Sequence, residues 1–163
     1  MKEKNKLFIP YVITLIGTIM MFLLLVLPFT TATDEYAERL DRFADTEVYK
    51  GLSLTCADVK NVSLVDYARI YVAVGENFWK NEYAGWIYAG LIAAIGLFSL
   101  IAVIKAIRKK PIGIIISTIF TVMTVAIFNW DLSARHVVQN ENYVWGVAHY
   151  CYYICLLYTS DAA

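Results

Sequence analysis

Four apolar runs, near residues 8–29, 84–107, 111–130 and 143–158, divide the chain, and polar residues collect between them. The first, Phe8 to Phe29, contains no charged residue. As a helix it reaches about 33 Å, enough to cross a hydrocarbon core of about 30 Å. Pro10 is expected in its first turn, where a missing N–H costs nothing, and Pro28 at its exit. The basic start and Thr31-Ala32-Thr33 also suit a cleaved signal peptide. Such peptides carry shorter apolar cores of about 7–15 residues, so an uncleaved anchor is expected.

The remaining runs give Gly85–Ile107, Ile112–Trp130 and Tyr143–Tyr158, with Pro111 breaking the chain after a basic turn. Gly85, Gly90 and Gly96, with Ala89, Ala93 and Ala94, form a small-residue face that suits close helix approach in lipid. The fourth run is shorter than the ~20 residues of a usual span. The tail Leu156–Ala163 resembles a non-native read-through, so the residues from Cys155 onward are expected to be foreign, 159–163 to be a non-native tail and the fourth helix to be truncated. The pattern therefore predicts an all-α fold, a bundle of four transmembrane helices over 8–30, 84–107, 112–130 and 143–158. A cytoplasmic head (1–7), a basic turn (108–111) and an outer loop (131–142) complete it.

Residues 31–83 read as a helical extracytoplasmic segment between the first two spans. Tyr36, Leu40, Phe43 and Val48 recur at helical spacing among charges, with Glu35–Arg39 and Glu38–Arg42 as i,i+4 pairs. Ser63 and Asp66 form a capping box, followed by Leu64, Tyr67, Ala68, Tyr71, Val74 and Phe78 on one face. Gly51–Asn61 between them reads as a turn or short extended link.

Basic residues close to helix ends set the orientation. Lys2, Lys4 and Lys6 precede the first span, and Lys105, Arg108, Lys109 and Lys110 fill the turn between the second and third. Alternating spans put both groups on one side, which places the N-terminus in the cytoplasm and 31–83 outside. Trp79, Trp86, Trp130, Tyr143 and Trp145 then gather at the outer interface, where amphipathic rings are favoured.

Composition sharpens this picture. The 163 residues are 60% hydrophobic and 17% charged, more apolar than one soluble core of this size would hold. Ten of the fourteen acidic residues lie between Asp34 and Glu82, so the acidity is concentrated outside. Net charge is zero, which gives no basis for a nucleic-acid partner. The three cysteines, Cys56, Cys151 and Cys155, make neither a disulfide framework nor a CxxC pair.

The layout is similar to that of claudin-like four-helix membrane proteins, and Gly51-Leu52 followed by Cys56 resembles their first-loop Gly-Leu-Trp…Cys pattern. Ser53 stands in the tryptophan's place and the second loop cysteine is missing, so the resemblance is one of layout and carries no function across.

Several groups are candidates for chemistry or contact. His149 lies inside the fourth run, where a polar side chain faces protein or water. The bland reading is a structural hydrogen-bonding histidine, the alternative a ligand or proton-handling group. Cys151 and Cys155 share a face that His149 does not, so no metal site assembles. Asp131, Arg135 and His136 sit at the outer mouth of the third span, where Asp131 and Arg135 are spaced for an ion pair. Thr118, Thr121 and Thr124 stand three apart in that span, either bonding back to their own helix or lining a polar stripe. There is no phosphate loop, HExxH or GxSxG, and no catalytic residue, metal or cofactor is assigned.

A non-enzymatic envelope component or accessory subunit is the expected function, with membrane lipid around it and a protein partner or second copy as its contact. A transport or channel component would use Thr118, Thr121, Thr124 and His149 along a path between the third and fourth spans. A membrane-embedded enzyme would need Asp131, His136, Glu141 and His149 together at the outer face.

Overall fold

The computed structural model describes the backbone of residues 2–79 and 82–162 and the side chains of 10–75 and 83–158. The chain is mostly helical. Among the described residues six α-helices, α1 (Lys2–Leu23), α2 (Asp34–Asp41), α3 (Leu64–Trp79), α4 (Glu82–Ile107), α5 (Pro111–Ala134) and α6 (Val147–Ala162), accompany three short strands. Four helices pack side by side: α1 lies against α4 and α6, and α5 against the same two. Among the described residues, α4 and α5 are long and apolar enough to cross a membrane. The apolar parts of α1, Pro10–Leu23, and of α6, Val147–Tyr158, are shorter.

The all-α expectation needs correction. β1 (Pro28–Ala32), β2 (Asn61–Ser63) and β3 (Tyr143–Trp145) form an antiparallel sheet in the order β2-β1-β3. The first apolar run is therefore not helical to its end. After Leu23 the backbone tightens, with Leu25 and Val26 N–H groups bonding three residues back, and Pro28 opens a strand. Thr30 and Thr31 are β-branched, and both edges of β1 find partners. The fourth run divides likewise, into a strand and a helix that meet at Gly146. That residue donates its N–H to the Phe29 carbonyl at 2.8 Å, and a Cβ on it would lie 2.5 Å from the Pro28 oxygen. Hydrophobicity continues through both junctions, so the run length overstated the helices.

Pro10 also moves from the expected first turn into the interior of α1, because the helix begins at Lys2. The third helix runs one turn beyond Trp130, to Ala134. It ends in a left-handed cap at His136 (φ 53°), with Val137 N–H bonding Leu132 and His136 N–H bonding Ser133. The end of α4 repeats the motif around Lys109 (φ 53°), whose N–H bonds Ala106 while that of Lys110 bonds Lys105. Pro111 then starts α5.

The 28–79 and 135–145 segments form a cap over one end of the helices. The Ser63 backbone N–H donates to Asp66, and the Asp66 N–H donates to Ser63 Oγ, so the expected capping box starts α3. The Val65 N–H reaches the Leu25 carbonyl at 3.2 Å, tying α3 to the frayed end of α1. The apolar face of α3 is buried at Leu64, Tyr67 and Tyr71; the Phe78 and Trp79 side chains lie outside the described residues. The first cap helix is shorter than its pattern: α2 stops at Asp41, and Phe43 and Val48 are exposed rather than core. Glu35 pairs with Arg39 as expected. Residues 44–57 fold back on themselves, Val48 bonding Leu54 and Cys56 bonding Thr46, around Gly51 (φ 85°).

At the opposite end the Lys109 ammonium lies 5.0 Å from the Tyr11 ring centroid. The basic turn thus sits beside the third turn of α1.

Candidate functional site

Polar chemistry concentrates where the cap meets the helices. Arg135 leaves the last turn of α5 and pairs with Asp131 one turn earlier, as their spacing predicted. It also donates to the Tyr71 hydroxyl at 2.9 Å. Its guanidinium lies 5.2 Å from the Tyr71 ring centroid and 4.7 Å from that of Tyr88, while Tyr88 donates to Asp131 at 3.0 Å. Three helices, α3, α4 and α5, are joined by this knot. The Arg135 and Asp131 side chains are only 26% and 20% exposed, so the pair is partly desolvated and less screened by solvent than a surface pair. Burial raises the Tyr71 phenol to about 12 against the pull of Arg135. Burial raises Tyr67 as well, although its hydroxyl shares a 2.9 Å hydrogen bond with Thr30. These phenols stay neutral and act as hydrogen-bonding groups.

His136 does not join the knot. It is exposed, and its carbonyl accepts from Asn140 at 2.7 Å. Asn140 organises the outer loop, its Oδ1 accepting from the N–H groups of Asn142 and Tyr143, both at 2.8 Å. Beside Asp131 and Tyr88, a groove of about 540 Å³ opens between α4 and α5, lined also by Ile87, Leu91, Ile127 and Trp130.

His149 occupies a separate, aromatic setting. Its ring stacks on Trp145 at 4.1 Å and 17°, and meets Phe29 and Tyr153 edge-on at 5.9 and 5.5 Å. Asn129, on α5, donates to the Tyr153 hydroxyl at 2.7 Å. His149 Nδ1, Asn129 Oδ1, the Tyr152 hydroxyl and Thr118 Oγ1 are all buried without a hydrogen-bond partner. All four lie on α5 or α6, and buried polar atoms of this kind are uncommon.

The threonines divide. Thr121 bonds back to the Ser117 carbonyl at 3.0 Å and Thr124 to that of Phe120 at 2.8 Å, the self-satisfied arrangement. Thr118 does not. Antiparallel packing sets Asn129 level with Tyr153 and leaves Thr118 eleven residues, roughly 16 Å, further along the helix. It therefore lies well away from the His149 cluster. Cys56, Cys151 and Cys155 are not joined in disulfides, and no three of the described His, Cys, Asp and Glu residues gather as metal ligands.

Sequence reasoning missed Tyr71 and Tyr88 as the faces holding Arg135, and Asn129, Tyr152 and Tyr153 around His149. Tyr71 was legible only as core. Tyr88 gave a signal in retrospect, a phenol one turn inside a span opposite an outer arginine. A scan against protein-family models, a search of curated proteins and a search of solved structures each find no match for this chain.

Proposed function

We propose that this is a small multi-pass membrane protein, with α1, α4, α5 and α6 as its four spans and the cap outside. Its role is that of a non-enzymatic envelope component or accessory subunit that meets a partner through the cap. The observation that carries the reading is the division of the surface. The helices turn Ile87, Leu97, Ile104, Ile116, Met123 and Ile127 outward, an apolar exterior suited to lipid. The cap is held to their ends by the sheet, the Val65–Leu25 hydrogen bond and the Arg135 knot. Trp86 and Trp130 are exposed at the capped end, as interfacial rings would be. The basic turn beside Tyr11 lies at the other end and supports a cytoplasmic N-terminus. Residues that an outer-face enzyme would need together have separate surroundings: Asp131 in the knot, His136 and Glu141 exposed, His149 among aromatic rings.

Co-purification from native membranes, with a tag on the N-terminus, tests the role. A stoichiometric partner of known activity supports an accessory subunit. Recovery of the protein alone, or only as a homo-oligomer, sinks it.

A second reading has one observation in its favour. The partnerless atoms of Asn129, His149 and Tyr152 put unsatisfied polar groups at the α5–α6 seam, with Thr118 further along α5 outside it. A transport component would conduct along that seam. Ion flux through reconstituted vesicles that is abolished by Asn129→Leu would favour it; absence of flux would remove it.

A further inference from the structure

The pairing of α3 with α4 fixes how deep α3 reaches. A Cβ at Gly85 would lie 3.2 Å from Val72 Cα, so these two residues are level. The Tyr71 and Tyr88 rings stack beside them at 4.8 Å. From there α3 runs back along α4 toward the middle of the bundle. At its start Val65 N–H bonds the Leu25 carbonyl, and Leu25 Cδ1 lies 3.3 Å from where a Gly96 Cβ would be. The stretch from Val72 back to Val65 descends about 10 Å, to the level of Ile92.

Trp86 and Trp130, both exposed, mark the outer edge of the apolar belt. From Trp86 to Ile107 α4 covers roughly 31 Å, and a hydrocarbon core is about 30 Å thick. The start of α3 therefore lies about 9 Å inside that edge. The length of α1 agrees. Its apolar part, Pro10–Leu23, gives only about 20 Å of helix, so other elements fill the outer part of the core on that side.

The outward stripe of α3 suits this depth. Val65 is 40% exposed and Val72 37%, where a water-facing stripe is ordinarily polar. Arg69 stands between them, close to the Trp86 level, where a long side chain reaches headgroups. The polar start of the helix is satisfied from within. Ser63 N–H and Oγ both donate to Asp66, and Asp66 N–H donates back to Ser63. Asp66 also pairs with Arg69 at 3.6 Å. A helix end inside a bilayer requires such internal partners. An open groove of about 400 Å³ beside this stripe is lined by Leu52, Ala68, Val72, Ala73 and Ala89, with Arg69 its one charged residue.

We propose that α3 enters the outer leaflet, its first two turns lying against lipid acyl chains through Val65 and its Arg69 at the headgroups. The inference rests on the reading of α4 and α5 as spans, and it brings one edge of the cap below the membrane surface.

The test uses the unaltered full chain in phosphatidylcholine nanodiscs doped with a lipid that carries a diazirine on its acyl chain. Photolysis, proteolysis and mass mapping locate the crosslinks. Crosslinks at Val65 are expected in a yield comparable to that at Leu97 and Ile104, which are exposed on α4, and to be absent from Asp34 to Val48. A second measurement reads depth. Nitroxides at Val65→Cys, Val72→Cys and Leu97→Cys, in a chain whose native cysteines are alanine, are relaxed by oxygen and by a water-soluble nickel chelate. Val65 is expected about 10 Å deeper than Val72 and shallower than Leu97. Crosslinks at Leu97 without any at Val65 overturn the proposal and leave the spans standing. So does a Val65 label that nickel relaxes as strongly as one at Phe43→Cys. Val65 shielded from lipid and nickel alike would mean that a protein surface covers α3, which overturns it too. Leu97 open to water sinks the span reading itself, and this inference with it.

Discussion

Two glycines on α4 should respond to alanine in opposite directions. At Gly85 an added Cβ would lie 2.2 Å from the Tyr71 carbonyl oxygen and 3.2 Å from Val72 Cα, where ordinary contacts begin at 3.4 Å. The obstacle is backbone, so α3 must retreat by more than an ångström, drawing Tyr71 away from Arg135. Because the obstacle is backbone, overpacking here falls in the upper part of its usual range, about 2–3 kcal/mol, against a helix-propensity gain of about 1 kcal/mol from removing glycine. The net expectation for Gly85→Ala is a loss of about 1–2 kcal/mol. At Gly90 nothing lies within 4 Å and the position is exposed, so only the propensity gain remains. Gly90→Ala should therefore gain about 0.5–1 kcal/mol. With a melting shift of about 2–4 °C per kcal/mol at this chain length, the two variants separate by about 3–12 °C. The assay is thermal denaturation of the purified protein in one detergent, followed by loss of the monodisperse species on size exclusion. Equal melting temperatures for the two variants would refute the claim that α3 and α4 meet at Gly85. A more stable Gly85→Ala would refute it more strongly.

The Arg135 knot predicts coupling: in a double-mutant cycle of Arg135→Gln and Tyr88→Leu, the interaction energy should be about 1 kcal/mol, and additive losses would argue against the stacked geometry. Because His136 holds a left-handed cap conformation that costs a non-glycine residue roughly 1–2 kcal/mol, His136→Gly should raise the melting temperature by a few degrees without altering partner recovery; a fall would mean that its side chain has another role. Burial favours the neutral phenols of Tyr67 and Tyr71, so their contribution is complete below pH about 10; that of Tyr71 is lost as pH rises through about 12, and Tyr67 is shifted in the same direction. Near-ultraviolet phenolate absorbance should show a late-titrating set that vanishes on unfolding, and a single transition near 10 in the folded protein would contradict this burial.

Local chemistry was legible where partners are close in sequence. The Ser63–Asp66 box, the Glu35–Arg39 and Asp131–Arg135 pairs, the start of α5 at Pro111 and the predominance of helix all follow from spacing and capping. So does the back-bonding of Thr121 and Thr124. The strands were not legible, because β1 and β3 continue the hydrophobicity of neighbouring helices. A strand is decided by the edges it pairs with, and the two edges of β1 meet segments far downstream, at Asn61–Ser63 and Tyr143–Trp145. Phe43 and Val48 kept a helical rhythm that the end of α2 at Asp41 made irrelevant.

The candidate sites divide in the same way. Asp131 and Arg135 could be paired from sequence, yet the rings of Tyr71 and Tyr88 reach Arg135 only when α3 and α4 are packed beside α5. His149 could be marked as a polar group in an apolar run, but its stacking on Trp145 requires the turn at Gly146. The depth of α3 is wholly a product of tertiary structure, since it is set by the close approach of Tyr71 and Val72 to Gly85. Sequence by itself determined the apolar runs, the basic ends and the local caps, because those depend on composition and on neighbours within a turn. Tertiary structure alone decided which polar atoms are satisfied and which surfaces enclose a space, because both depend on contacts between segments far apart along the chain.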